Sequence, residues 1–172
     1  MIRKYIILLS IMLLLACTGI GAETVCVIID SPKTGEIGRN SQYLRLVEEG
    51  LMSTFFDAGH IAFNTAPANV ENYIAKNDAL AGPVMLARSG GATRLVIAHL
   101  DYYTESENKN VFPQAVNFKL VNVDNSAVIG KGRLQADNET EIETSEKEFM
   151  SKDEKRFYLF GEKIANNVLN IW

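Results

Sequence analysis

The sequence predicts a mixed α/β domain, a single mixed β-sheet with helices packed on it, in the element order β-α-β-α-β-β-β-α. Three observations predict it. Apolar residues recur at helical spacing in three stretches, β-branched runs of strand length lie between them, and two hairpin signals fall together in the second half. A helix between two strands argues for parallel pairing in the first half, and the hairpins make the second half antiparallel.

The elements follow in order. Thr24 to Ile29 is a β-branched run ended by Asp30-Ser31-Pro32, a first strand buried on both faces. Ser31 to Asn40 is rich in turn formers and reads as a loop, with Asn40 or Ser41 capping what comes next. Leu44, Val47, Leu51, Phe55 and Ala58 then form an amphipathic stripe that Met52 and Phe56 widen, a helix of about 18 residues that Gly59 stops. His60 to Asn64 is a short second strand, and Asn69 to Tyr73 a single helical turn. A second helix runs from Asp78 to Arg88, with a kink or restart at Gly82-Pro83 and a stop at Ser89-Gly90-Gly91. A helix that must become a central strand within three residues needs positive φ or close backbone approach, which Gly90-Gly91 supplies. Thr93 to Tyr103 is the longest apolar strand of the chain beyond its N-terminal segment. Glu105 to Asn110 is a polar turn, and Pro113 opens a strand in which Val116, Phe118 and Leu120 alternate. Asp124-Asn125-Ser126 turns the chain back, through an Asp124 side chain bonding its own backbone, into Ala127 to Ala136. Asp137 to Glu148 carries six acids and one Lys, a solvated connection. Ser151-Lys152-Asp153-Glu154 is a capping box that opens a last helix, with Phe157, Phe160, Ile164, Val168 and Ile171 as its stripe and Trp172 at its end.

The first 22 of the 172 residues stand apart as a signal peptide. Arg3 and Lys4 precede an apolar run from Tyr5 to Ala16, and small residues follow to Ala22. Three readings of this segment stay open. Leu14-Leu15-Ala16-Cys17 resembles a lipobox, making Cys17 a lipidation candidate; a cut after Gly21 or Ala22 removes Cys17 instead; and the segment left uncleaved is an anchor, although short for a span. Residues 23–172 form one domain, large enough for a core but not for two. Arg3 and Lys4 are the only charges in the first 22 residues, so 15 bases face 21 acids in that domain and net charge moves from −4 to −6. That balance excludes a basic nucleic-acid footprint. In either cleaved form Cys26 is the one thiol left to pair, and within a buried strand it reads as a small hydrophobe.

Three segments carry a family resemblance. Leu86 to Ala98 resembles the "A-x-x-x-G-A-D-x-V-V-x-G" junction of the curli-secretion lipoprotein CsgG, the penicillin-binding-protein activator LpoB and the TolB N-terminal domain, with Thr93 in place of the Asp. Phe118 to Ile129 is similar to their hairpin, with Ala127 where a Gly is customary, and Glu162 to Leu169 to their closing helix. The resemblance spans residues 24–170 and implies a non-catalytic cell-envelope accessory of the periplasm or outer membrane. It implies envelope protein partners, contact with membrane only through a lipid anchor, and homo-oligomers as a further option. Two features argue against copying particular jobs. Glu105 to Val111 is too short and polar for transmembrane hairpins, whose strands need about 9–11 residues. The linker from Thr18 to Glu23 or Thr24 reaches only about 20–25 Å at ~3.5 Å per residue, so a tethered domain would hug its membrane.

No Ser-His-Asp order, phosphate loop, HExxH or CxxC is present, so no catalytic residue, metal ligand or cofactor is expected. His60 and His99 have no ligand spacing around them. His99 and Asp101 share a strand face at i and i+2, and Tyr102-Tyr103 beside them form an aromatic patch on the sheet rim; these four are the candidate contact site. Gly35 to Arg39 before a helix is an ordinary loop, and Gly130-Lys131-Gly132 lies in a strand, where no dinucleotide site can form. The acidic run lacks the spacing of a Ca²⁺ loop. Besides a partner-binding domain, two other readings stay open: a small-ligand sensor with its pocket between residues 31–39 and 104–112, and a self-assembling component.

Overall fold

The computed structural model of the chain describes residues 22–30, 37–65, 80–102, 112–136 and 150–172. Eight elements follow the expected order: β1 Thr24–Asp30, α1 Ile37–Asp57, β2 Ile61–Asn64, α2 Ala81–Ser89, β3 Arg94–Asp101, β4 Ala115–Asn122, β5 Val128–Gln135 and α3 Lys152–Leu169. The expected turn at Asn69–Tyr73, the polar turn at Glu105–Asn110 and the acidic run at Asp137–Glu148 lie outside the described residues.

The five strands form one sheet in the order β2-β1-β3-β4-β5. β1 pairs in parallel with β2 and β3, and β3, β4 and β5 pair antiparallel. β3, fed by the glycine pair, is therefore central, as its apolar length requires. The chain steps from β1 outward to β2, then crosses back over β1 to β3. Right-handed crossovers in opposite directions put their helices on opposite faces. The two cores show this division. Val25, Val27, Val96, Ala98, Leu100, Val116, Phe118 and Leu120 pack under α1 and α3, whereas Cys26, Ile28, Leu95 and Val121 pack under Val84 and Ala87 of α2.

The helices differ from expectation in ways packing explains. α1 begins at Ile37, a turn before the predicted cap, and its first described side chains meet α3: Gln42 donates to Glu154 and Tyr43 stacks on Phe157 at 4.4 Å. Val47, Leu51 and Phe55 are fully buried, but Phe56 is 72% exposed, so it does not widen the stripe. Phe56 follows the buried Phe55 by one residue, about 100° further around the helix, and faces solvent. In α2 Gly82-Pro83 produces no mid-helix kink, since the helix starts at Ala81 and Pro83 sits in the first turn, where no backbone N–H is needed. α3 carries the predicted capping box, Ser151 Oγ accepting from Glu154 N and Glu154 Oε2 from Ser151 N at 2.8 Å. It stops at Leu169, and Ile171 leaves the buried stripe to lie over Gly130, while the Trp172 ring stacks on His60 at 4.5 Å.

Glycine fixes two junctions. α1 and α3 run in the same direction and touch backbone to backbone: a Cβ on Gly50 would strike the Tyr158 carbonyl, and one on Gly161 the Val47 carbonyl. At the α2–β3 junction Gly91 adopts φ +76°, and Gly90 leaves room for the Phe63 ring. The β4–β5 turn corrects one expectation: its acceptors are the Asn122 side chain, for the N–H groups of Asp124 and Asn125, and the Asn125 side chain, for Ala127. Asp124 does not supply the bond. Ser126, just after Asn125, takes the positive φ of 60°.

Candidate functional site

α2 has nine residues, about 14 Å of helix roughly 10 Å across, and it lies on a sheet five strands wide at about 4.8 Å each. It covers one part of its face, where Cys26, Leu95 and Val121 lie. Strand alternation puts Asp30, His99, Asp101, Asn117, Lys119, Lys131 and Arg133 on the remainder of that face.

These residues line up. Asp30 is in register with His99, His99 with Asn117, and Asn117 with Arg133, so four neighbouring strands contribute one polar row. His99 Nδ1 lies 2.8 Å from Asp30 Oδ2, and its Nε2 lies 3.6 Å from Asp101 Oδ1. Asn117 Nδ2 donates to Asp101 Oδ2 at 2.8 Å, and Arg133 Nη2 stands 3.6 Å from the same oxygen. The row crosses the carboxyl ends of β1 and β3, where the strand order reverses. That reversal is the position at which open α/β sheets place their ligand crevices.

The arrangement suits recognition better than bond chemistry. Both imidazole nitrogens of His99 face carboxylates, so Asp30 and Asp101 orient the ring rather than leave it free toward a substrate. None of the side chains that these bonds join is a hydroxyl or thiol nucleophile. Cys26 lies on the same face but under α2, a free buried thiol whose pKa burial pushes up to about 12, which makes it a packing residue. Among the described residues no group of three or more His, Cys, Asp and Glu side chains could hold a metal ion, and no helix is long and apolar enough to cross a membrane. Nor does the row exist for stability. The His99 side chain is 44% exposed and Arg133 more so, and such pairs contribute about 0–1 kcal/mol.

Of the predicted contact residues, the structure brings His99 and Asp101 together. Tyr102 packs instead against the core beneath α1 and α3, on the opposite face, following the same alternation as Leu100. Tyr103 and Cys17 lie outside the described residues. Asp30, Asn117 and Arg133 were not anticipated. The polar alternation of Asn117-Lys119 and Lys131-Arg133 was a usable signal, because it marks a strand face that no helix covers among the described residues.

No protein-family model matches the chain, and no curated protein is similar to it in sequence. Solved structures resemble it. The hypothetical protein CT253 from Chlamydia trachomatis superposes with a TM-score of 0.52 at 12% identity, over 87% of this chain and 94% of that one. The PelC dodecamer from Paraburkholderia phytofirmans gives 0.45 at 16% identity over 84% of each chain. The LpoB C-terminal domain from Salmonella enterica gives 0.35 at 17% identity over 71% of this chain and 90% of that one. The CT253 match, at 12% identity, speaks to the fold alone.

Proposed function

We propose that this chain is an exported, non-catalytic cell-envelope domain that is held at its membrane by its N-terminal segment and binds a protein partner through the polar row. The observation that carries the reading is the row itself: five hydrogen-bonding or charged side chains from four strands, aligned on a sheet face that α2 leaves open. Charge is divided along it, with Asp30 and Asp101 on β1 and β3 and Arg133 beside Lys131 on β5. A partner surface of complementary, equally divided charge fits it, and such patterns fix orientation and suppress wrong partners more than they add affinity. The signal-like N-terminus and the resemblance to envelope accessories support export; the satisfied His99 supports binding over catalysis.

The test is affinity capture from detergent-solubilised envelope with the full chain and with an Asp101→Lys/Arg133→Glu exchange. The reading expects a protein recovered with the wild type and depleted at least tenfold with the exchange, at unchanged circular dichroism. Equal recovery, or none with either, contradicts it.

A further inference from the structure

The end of the domain opposite the polar row has a different chemistry. β1, β2, β3 and β5 begin there, and β4, α1, α2 and α3 finish there. Ile61 pairs with Thr24, Val25 with Arg94, Arg94 with Asn122, and Val128 with Val121, which sets these residues along one rim of the sheet. Six large apolar side chains are exposed among the described residues, and five of them belong to this end. Phe56 closes α1 at 72% exposure, Ile61 opens β2 at 58%, Val128 and Ile129 open β5, and Ile171 follows α3. The sixth, Met85, is on α2. Trp172, half buried, is fixed among them by its stack on His60 and by the Arg94 guanidinium 5.8 Å from its ring centre.

The same end receives the N-terminal segment. The first described residues, Ala22 and Glu23, lead straight into β1, and Glu23 is pinned there by a 2.9 Å ion pair with Arg94. Cys17 precedes Glu23 by six residues, a reach of about 20 Å at ~3.5 Å each. A chain held at Cys17, or by an uncut apolar segment before it, keeps this end and no other next to the bilayer, at a high effective concentration. We propose that this rim is a membrane-seating surface, whose apolar side chains rest at the boundary of headgroups and acyl chains. The proposal rests on the tethered reading given above. Electrostatics narrows the lipid. Asp57 and Asp124 are exposed at this end, Glu23 occupies Arg94, and Arg88 is spent on the Val123 and Asp124 carbonyls. With no excess of positive charge among the described residues, the surface fits zwitterionic headgroups held by apolar contact rather than anionic lipid held by Coulomb attraction.

Trp172 is the only tryptophan of the chain and stands at this rim, so it reports the seating directly. The full chain, purified from membranes and characterised by intact mass, is reconstituted into phosphatidylethanolamine-rich vesicles with and without acyl-brominated lipid. Seating predicts that brominated lipid quenches Trp172 emission by half or more. It also predicts that a Phe56→Glu/Val128→Glu variant with the same mass modification and the same melting loses most of that quenching. An acylated or uncut chain without quenching overturns the seating and leaves the tether standing. Quenching unchanged in the variant overturns it as well. A mass showing a mature chain that starts at Ala22 or Glu23 removes the tether, and the seating with it. An unquenched Trp172 in a chain that light scattering shows to be a stable oligomer gives the surface to a second copy.

Discussion

Two ends of one sheet carry opposite surfaces. Where β1 and β3 finish, the part of the face that α2 does not cover holds Asp30, His99 and Asp101, with Asn117 and Arg133 beside them. Where the same strands begin, Phe56, Ile61, Val128, Ile129 and Ile171 stand exposed around Trp172. At the apolar end residues 58–60, 90–93 and 123–127 link the elements by tight, hydrogen-bonded turns. At the polar end the joining segments lie outside the described residues. The contrast teaches that backbone register and helix length can give the two rims of a single sheet surfaces of different chemistry.

The largest effect that sharpens this comparison is loss of the frame both ends share. A Gly161→Val substitution drives a side chain into the α1 backbone at Val47, a clash no rotamer relieves. We expect no folded protein in circular dichroism, or a cost above about 3 kcal/mol. Phe55→Ala comes next. It empties a fully buried site beside Trp172, whose ring lies 5.7 Å away, and should cost about 3–5 kcal/mol in urea unfolding while red-shifting the Trp172 emission. His99 should be affected little, so the two ends become separable by probe.

Cys26 gives a smaller effect with a defined sign. Its folded pKa is raised to about 12 from about 9, by burial. The folded thiol therefore keeps its proton where the unfolded one loses it. The contribution is fully present below pH 9 and declines as pH rises from 9 towards 12. Urea midpoints measured on either side of pH 9 check the direction. Alkylation of Cys26 should be slow until the chain unfolds. The smallest effect on stability belongs to the polar end. His99→Ala should change the unfolding free energy by less than about 1 kcal/mol, yet abolish partner capture. A large loss of stability without loss of capture would make the row a structural feature.

The fold was legible because its signals are local. The stripe Val47-Leu51-Phe55, the capping box at Ser151 and the Gly90-Gly91 junction each declare themselves within a few residues. Phe56 misled because it stands about 100° around the helix from Phe55, and periodicity does not show how wide a face the packing covers. The site was half legible. His99 and Asp101 share a face by alternation, and the same rule already sends Tyr102 to the other side. Asp30 was hidden, since 69 residues separate it from His99 and only the parallel register of β1 with β3 joins them. Asn117 and Arg133 needed the antiparallel register in the same way.

Photo-crosslinking from both ends in intact cells tests the central claim most directly. A diazirine side chain in place of Arg133 on one copy of the gene, and in place of Phe56 on another, samples the two rims under one condition. The account predicts a discrete protein adduct from 133 and lipid adducts from 56. Lipid from 133 with a protein adduct from 56, or the same products from both, would contradict it.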